Sequence, residues 1–154
     1  MEAVSAPLSS RDVTMLNVLE AYLVRFLLVG GHAVKAYGST RPTKDVDVLI
    51  DNSPENSERF VAAMVSLNIR HPNLSADNIA GQKRQINFAT WGYDFEVLTA
   101  ADGLTFDEAY ARRVATHYGG VTLPVIAKAD LITMKLRAGR LIDLNDLEYL
   151  RGAA

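Results

Sequence analysis

The sequence lacks cysteine, an excess of basic residues and any long apolar run, and each absence excludes a class of protein. Without cysteine, the 154 residues form neither disulfides nor thiolate metal sites, which is typical of a reducing cytoplasm. Sixteen Lys and Arg against 18 Asp and Glu give a net charge of −2, so no overall positive field attracts nucleic acid or anionic lipid. No apolar run approaches the roughly 20 residues that span a bilayer, and the first residues lack the basic and apolar segments of a signal peptide. We therefore expect a cytoplasmic protein that does not associate with membranes.

The composition is typical of a folded domain. Apolar residues make up 49% of the chain and charged residues 22%, which excludes a disordered tail. The length suits one hydrophobic core rather than two. We therefore predict a single domain over residues 1–154, in which residues 1–9 form a loose lead-in.

Hydrophobic spacing and capping signals predict helices and strands that alternate along the chain. The predicted helices begin at Ser9 or Ser10 and cover residues 32–37, 54 to about 67, 107–113, 130–137 and 143–150. The predicted strands cover residues 26–29, 45–50, 85–89, 93–98 and 121–126, and residues 70–84 are expected to be irregular. These elements indicate an α/β (or α+β) fold, with a small mixed β-sheet of four or five strands flanked by helices.

A glycine pair follows the first predicted strand. Gly30 and Gly31 lie between the apolar run 26–29 and a short helix, where glycine allows close approach of an anion and the helix N-terminus offers free N–H groups. A tight turn without any ligand explains the same pair. The sequence contains neither the P-loop nor the dinucleotide-binding glycine pattern, so both interpretations stay open at this point.

Two pairs of acidic residues have the spacing that places carboxylates on one face of a strand. Asp45 and Asp47 stand at i and i+2, as do Asp94 and Glu96 in a later strand. Two carboxylates about 4 Å apart repel by roughly 4 kcal/mol at an effective dielectric near 20, and a divalent cation between them relieves that repulsion. The alternative for each pair is a solvated strand edge. If Asp45 and Asp47 bind a metal, an acid from the later strand completes a three-carboxylate site.

The order of these motifs resembles the DNA-polymerase-beta-like nucleotidyltransferase superfamily. More narrowly, it resembles the minimal AbiEii-type branch, which includes toxins of type IV toxin–antitoxin systems. The matching segments are Gly30-Gly31-His32-Ala33, then Arg41-Pro42-Thr43-Lys44-Asp45-Val46-Asp47, then Phe95-Glu96-Val97-Leu98-Thr99, and a closing segment that runs from Asp130 through Lys135 and Asp143 to Asp146. The resemblance covers roughly residues 27–150.

This resemblance implies a fold, a reaction and a set of site residues. It implies a nucleotidyltransferase-like core that moves a nucleoside monophosphate from a nucleoside triphosphate (NTP) to an acceptor hydroxyl and releases pyrophosphate. Asp45, Asp47 and Glu96 are then the catalytic and metal-binding residues, with two Mg²⁺ ions. The NTP is expected to contact Gly30, Gly31, Arg41, Thr43 and Lys135. The acceptor is a small molecule, an RNA or a protein, and a homodimer or an antitoxin is a possible partner.

Three departures from the superfamily keep alternatives open. Most members carry Gly-Ser where this chain has Gly30-Gly31, and the third acid is Glu96 rather than aspartate. The chain also shows no counterpart of the large additional domain of the long toxins, which disfavours a toxin role more than it disfavours the chemistry. One alternative is a non-catalytic nucleotide-binding or interaction protein. Another is an antibiotic-modifying nucleotidyltransferase.

The remaining polar and aromatic candidates have simpler explanations. Lys135 falls on the apolar stripe of its helix, so its ammonium either extends to solvent or points into an acidic, phosphate-holding cleft. Asp143 is expected to be the N-cap of the last helix. Phe88, Trp91 and Tyr93 are expected to pack in the core rather than stack on a base.

Overall fold

A computed structural model of the chain describes residues 8–152, so residues 1–7 of the predicted lead-in lie outside the described part. Its helices are α1 (Ser10–Ala21), α2 (Gly30–Ala36), α3 (Pro54–Ser66), α4 (Ala76–Ile79), α5 (Phe106–Ala111), α6 (Lys128–Ala138) and α7 (Leu141–Gly152). Its strands are β1 (Phe26–Val29), β2 (Val46–Ile50), β3 (Gln85–Asn87), β4 (Phe95–Leu98), β5 (Val114–Tyr118) and β6 (Val121–Val125). Ser9 caps α1, as predicted, because its side chain accepts a hydrogen bond from the backbone N–H of Asp12.

The six strands form one mixed sheet in the order β3-β4-β2-β1-β6-β5. The central strands β1 and β2 are antiparallel, whereas β2 pairs with β4 and β1 pairs with β6 in parallel. All four residues of β1 are buried, which requires cover on both faces of the sheet. The predicted mixed sheet flanked by helices is confirmed, with one strand more than expected.

The additional strand is β5, which lies at the edge of the sheet and pairs only with β6. Most of its residues are exposed or half-buried, so it carries no apolar alternation that would indicate a strand. Its position is set instead by a two-residue turn at Gly119 and Gly120, both with positive φ. Residues 70–84, predicted to be irregular, contain the single-turn helix α4.

Large apolar side chains from the central strands and from α1 and α3 fill the core. The largest fully buried side chains include Phe26, Phe60, Phe88 and Phe95. Phe88 and Tyr93 are buried and Trp91 packs against the same core, as predicted. Among the helices of residues 8–152, none is long and apolar enough to cross a membrane.

The buried amide of Asn56 ties α3 to the central strands. Its Oδ1 accepts a hydrogen bond from the backbone N–H of Arg25 at 2.7 Å, where β1 begins. Its Nδ2 donates to the carbonyl oxygens of Arg25 and Asp51, at 3.1 and 2.7 Å. A single side chain therefore bonds three backbone groups at one end of the sheet, of which, within residues 8–152, only the Arg25 carbonyl has a second partner, the N–H of Asp51 at 3.2 Å.

Replacing Asn56 by alanine should lower the free energy of unfolding by about 2–4 kcal/mol, because the half-buried N–H of Arg25 and carbonyl of Asp51 lose their partner. Urea denaturation followed by circular dichroism measures this change. The exposed Asn73, whose side chain makes no hydrogen bond in the described residues, provides the matched control. An Asn56→Ala variant as stable as Asn73→Ala would contradict the role given to this amide.

Candidate active site

Sheet pairing brings the predicted acidic residues together. Asp47 lies in β2 and is paired with Glu96 of the parallel strand β4, so the two side chains share one face of the sheet. Asp45 is exposed and immediately precedes β2. All three carboxylates line a cleft of about 430 Å³. Asp94 does not line this cleft and instead lies 3.6 Å from the ammonium of Lys44.

The two glycines are explained by close contacts within the chain. Gly30 has φ +67°, and a Cβ atom there would overlap Oδ2 of Asp47 and lie 2.9 Å from its Cβ. A Cβ atom at Gly31 would lie 2.5 Å from Oγ1 of Thr43 and 3.0 Å from Nη2 of Arg41. Gly30 therefore makes room for Asp47, and the space beside Gly31 is filled by the loop that carries Arg41 and Thr43. A serine at position 31 would have to displace that loop.

A second cleft of about 350 Å³ adjoins the first and has a different chemical character. Its basic lining residues are Arg41, Lys44, Lys135 and Arg140. The two clefts share Gly30, Asp45, Asp47, Lys135 and Arg140, so the acidic pair stands at their boundary. The first cleft contains Glu96 and an apolar wall formed by Leu98, Leu131 and Met134. The eight residues predicted from the sequence all line one cleft or the other.

Three of the four basic side chains are held by two buried carboxylates of α7. The Nζ of Lys135 lies 3.1 Å from Oδ1 of Asp143 and 2.9 Å from Oδ2 of Asp146. Arg41 donates two hydrogen bonds to Asp146, and Arg140 donates two to Asp143. Lys135 is 5% exposed, and the two carboxylates are 0% and 2% exposed. The ammonium of Lys135 is thus buried beside acidic partners and does not extend to solvent.

The structure corrects the expectation for Asp143. Helix α7 begins at Leu141, so Asp143 lies in its first turn and is not its N-cap. Its carboxylate accepts a hydrogen bond from the backbone N–H of Arg140 at 3.1 Å, which is one half of a capping box. Sequence analysis gave no site role to Asp146 or Arg140. The available signal was the spacing Arg-x-x-Asp-x-x-Asp, which places two acidic side chains on one side of a helix and an arginine just before it.

Asp47 is an acidic residue of the site whose pKa is raised strongly. Burial, followed by the negative charges of Glu96 and Asp45, raises the pKa of Asp47 from 3.8 to about 7. The positive charges of Lys135 and Arg140 act in the opposite direction. Burial and the two like charges together disfavour the ionised form of Asp47 more than the two cations favour it, so an added cation would stabilise that form.

The acidic oxygens of the site are of the kind that bind Mg²⁺. Among residues 8–152, no three His, Cys, Asp or Glu side chains are gathered as a ready-made metal site. Mg²⁺ is commonly bound through one or two carboxylates together with substrate phosphates and water. Asp45 and Asp47 supply such oxygens at the edge of the basic cleft. Asp45 and Asp47 therefore have the chemistry that Mg²⁺ binding requires.

Comparison with known proteins supports the fold assignment. No protein-family model and no curated protein sequence matches the chain. The structure is similar to the crystal structure of the lincosamide antibiotic adenylyltransferase LnuA in its lincomycin-bound form, with a TM-score of 0.62 and 16% sequence identity. The match covers 96% of this chain and 99% of LnuA. The predicted nucleotidyltransferase-like fold is thereby confirmed, whereas the narrower AbiEii-type resemblance stays a prediction.

Asp47→Asn should increase stability in a pH-dependent manner. The folded-state pKa of about 7 lies above the ordinary value of 3.8, so the wild-type protein loses stability as pH rises through this interval, and the loss is complete above pH 7. The variant lacks this loss and should exceed the wild type by about 2–4 kcal/mol at pH 8. At pH 4 the two proteins should unfold alike.

Urea denaturation in EDTA across this pH range measures the difference. The exposed Asp77 provides the control, since Asp77→Asn should follow the wild-type pH dependence. A pH-independent difference between Asp47→Asn and the wild type would contradict the assignment.

Lys135→Met should destabilise the protein by about 3 kcal/mol, because two buried carboxylates lose a shared partner and each keeps only one arginine. Thermal and urea unfolding measure the loss. Lys83→Met removes a lysine whose partner Asp102 is exposed, so it should have little effect. Equal unfolding of the two variants would show that the buried pairing contributes little.

Proposed function

We propose that this protein transfers a nucleoside monophosphate from an NTP to an acceptor hydroxyl. The observation that carries this proposal is the pair of adjoining clefts, one basic and one acidic with an apolar wall, which meet at Asp45 and Asp47. Such a boundary is where a triphosphate and a nucleophile have to meet. The fold shared with the adenylyltransferase LnuA supports the same reaction class.

The basic cleft is the proposed triphosphate site. Arg41, Lys135 and Arg140 offer guanidinium and ammonium donors, and the Thr43 hydroxyl lies beside Gly31. Asp143 and Asp146 keep these cations in place before substrate arrives, which lowers the ordering cost of binding. Positioning and charge neutralisation account for most of the catalysis of phosphoryl transfer.

The first cleft is the proposed acceptor site. The acceptor oxygen attacks the α-phosphorus, the bond between that phosphorus and the α–β bridging oxygen breaks, and pyrophosphate leaves. We assign Glu96 two roles on the acceptor side, where it would bind a second Mg²⁺ and take the hydroxyl proton. Mg²⁺, when bound through Asp45 and Asp47, would supply positive charge that offsets the charge of the phosphates.

The acceptor is proposed to be a small organic molecule with an apolar portion. The cleft volume of about 430 Å³ falls within the range of small-molecule sites. Leu98, Leu131 and Met134 offer contact area that a nucleic-acid backbone would not use, and the net charge of −2 disfavours a long polyanion. The fold shared with LnuA, a lincosamide antibiotic adenylyltransferase, supports the same acceptor class.

Incubation with each α-labelled NTP and Mg²⁺, in the presence of a cell extract, tests the proposal. Label should appear in the small-molecule fraction. Asp47→Asn and Glu96→Gln should each lower transfer by about 10²-fold or more. Asp94→Asn should stay near the wild type, because Asp94 lies outside both clefts.

A larger loss in Asp94→Asn than in Glu96→Gln would contradict the assignment of the third acid. Binding of NTP without transfer to any fraction would instead support the non-catalytic alternative. Circular dichroism of each variant shows that the fold is kept.

A further inference from the structure

Two amide side chains of the edge strand β3 hold the carboxylate of Glu96. Gln85 and Asn87 stand at i and i+2 and therefore share a face of β3, and Asn87 is paired directly with Glu96. The Nε2 of Gln85 donates a hydrogen bond to Oε1 of Glu96. The Nδ2 of Asn87 donates to Oε2 at 3.2 Å. Each oxygen of the carboxylate thus already accepts a hydrogen bond.

The orientation of the Asn87 amide is itself fixed. Its Oδ1 accepts a hydrogen bond from the backbone N–H of Ala89 at 2.8 Å, in the short 3₁₀ turn that follows β3. With Oδ1 engaged there, the NH₂ group is the part that faces Glu96. The backbone that follows β3 therefore fixes the orientation of the Asn87 amide toward Glu96, so the side chain does not rotate freely.

The order of the strands determines the direction in which the two amides draw the Glu96 carboxylate. Strand β4, which carries Glu96, lies between β3 and β2, and β2 carries Asp47. The two amides therefore draw Glu96 toward β3, on the side opposite Asp47. This agrees with the finding that, in residues 8–152, three acidic side chains are not gathered as a metal site.

We propose that Gln85 and Asn87 are positioning residues that hold Glu96 apart from Asp47 until nucleotide and its metal are bound. This inference rests on the proposed function, since it takes Glu96 as a metal ligand on the acceptor side. Hydrogen bonds to a charged acceptor are among the stronger ones in proteins. Glu96 has to give them up, or share its oxygens, before it binds a cation with Asp47. The amides therefore weaken metal binding to the empty site and leave full assembly to the substrate.

Metal affinity without nucleotide tests this directly. Mn²⁺ is titrated into the protein in the absence of NTP, and free Mn²⁺ is measured by electron paramagnetic resonance. Gln85→Met keeps the length of the side chain and removes its donors, and it should bind Mn²⁺ about tenfold more tightly than the wild type. Gln82→Met, a change at an exposed residue just before β3, should not alter the affinity.

A double-mutant cycle identifies Glu96 as the group through which Gln85 acts. In a Glu96→Gln background, Gln85→Met should change Mn²⁺ affinity less than twofold. An unchanged or weaker affinity in Gln85→Met alone would overturn the proposal, as would the absence of Mn²⁺ binding by both proteins. Because Gln85 is exposed on an edge strand, the variant is expected to fold.

The Mn²⁺ titration tests the positioning role, and the labelled-nucleotide assay tests the proposed function, so each proposal can be contradicted independently of the other. Tighter Mn²⁺ binding by Gln85→Met without nucleotide transfer by the wild type would contradict the proposed function and leave the positioning role standing. Transfer by the wild type with no change in Mn²⁺ affinity would overturn the positioning role alone.

Discussion

The buried pairing of Lys135 with Asp143 and Asp146 is the interaction on which the rest of the site depends. These two carboxylates gather cations from three separate segments: the loop before β2, helix α6 and the α6–α7 connection. An ion pair removed from water adds to stability only when hydrogen bonds satisfy its remaining donors and acceptors. Arg41 and Arg140 provide that satisfaction. The pairing therefore holds three cations beside a cleft where they face Asp47.

The same arrangement explains how the chain tolerates three acids in one cleft. Burial and two neighbouring negative charges raise the pKa of Asp47, and the cations of Lys135 and Arg140 reduce this rise only in part. The ionised form of Asp47 therefore stays unfavourable in the folded protein. A site of this kind is unfavourable when empty and becomes favourable when a cation and a polyanion enter together.

Local sequence patterns predicted much of the fold because they report burial. The continuous apolar run of β1 and the alternation in β2 both indicated strands, and Ser9 indicated a helix start that the structure confirms. The pattern failed at β5, where an edge strand is half-solvated and its register is set by a glycine turn. It also failed at Asp143, because the helix begins two residues earlier than the aspartate suggested.

The candidate site was predictable as a set of residues but not as a set of contacts. The spacing of Asp45 and Asp47, together with the later Glu96, indicated the acidic group, and the pairing of β2 with β4 was needed to place them side by side. Nothing local to Gln85 or Asn87 indicates that they hold Glu96. That contact follows from the position of β3 next to β4, which single-sequence patterns do not report.

The distance along the chain between Arg41 and Asp146 has a consequence for biosynthesis. The two residues are 105 positions apart, yet they form one bidentate pair. A ribosome releases the strands that carry Asp47 and Glu96 well before it releases α7. Until then the acidic cleft has no anchored cations beside it, so a partly synthesised chain holds the acids without the basic wall of the adjoining cleft. The site is completed only when α7 has left the ribosome, after all six strands of the sheet have been released.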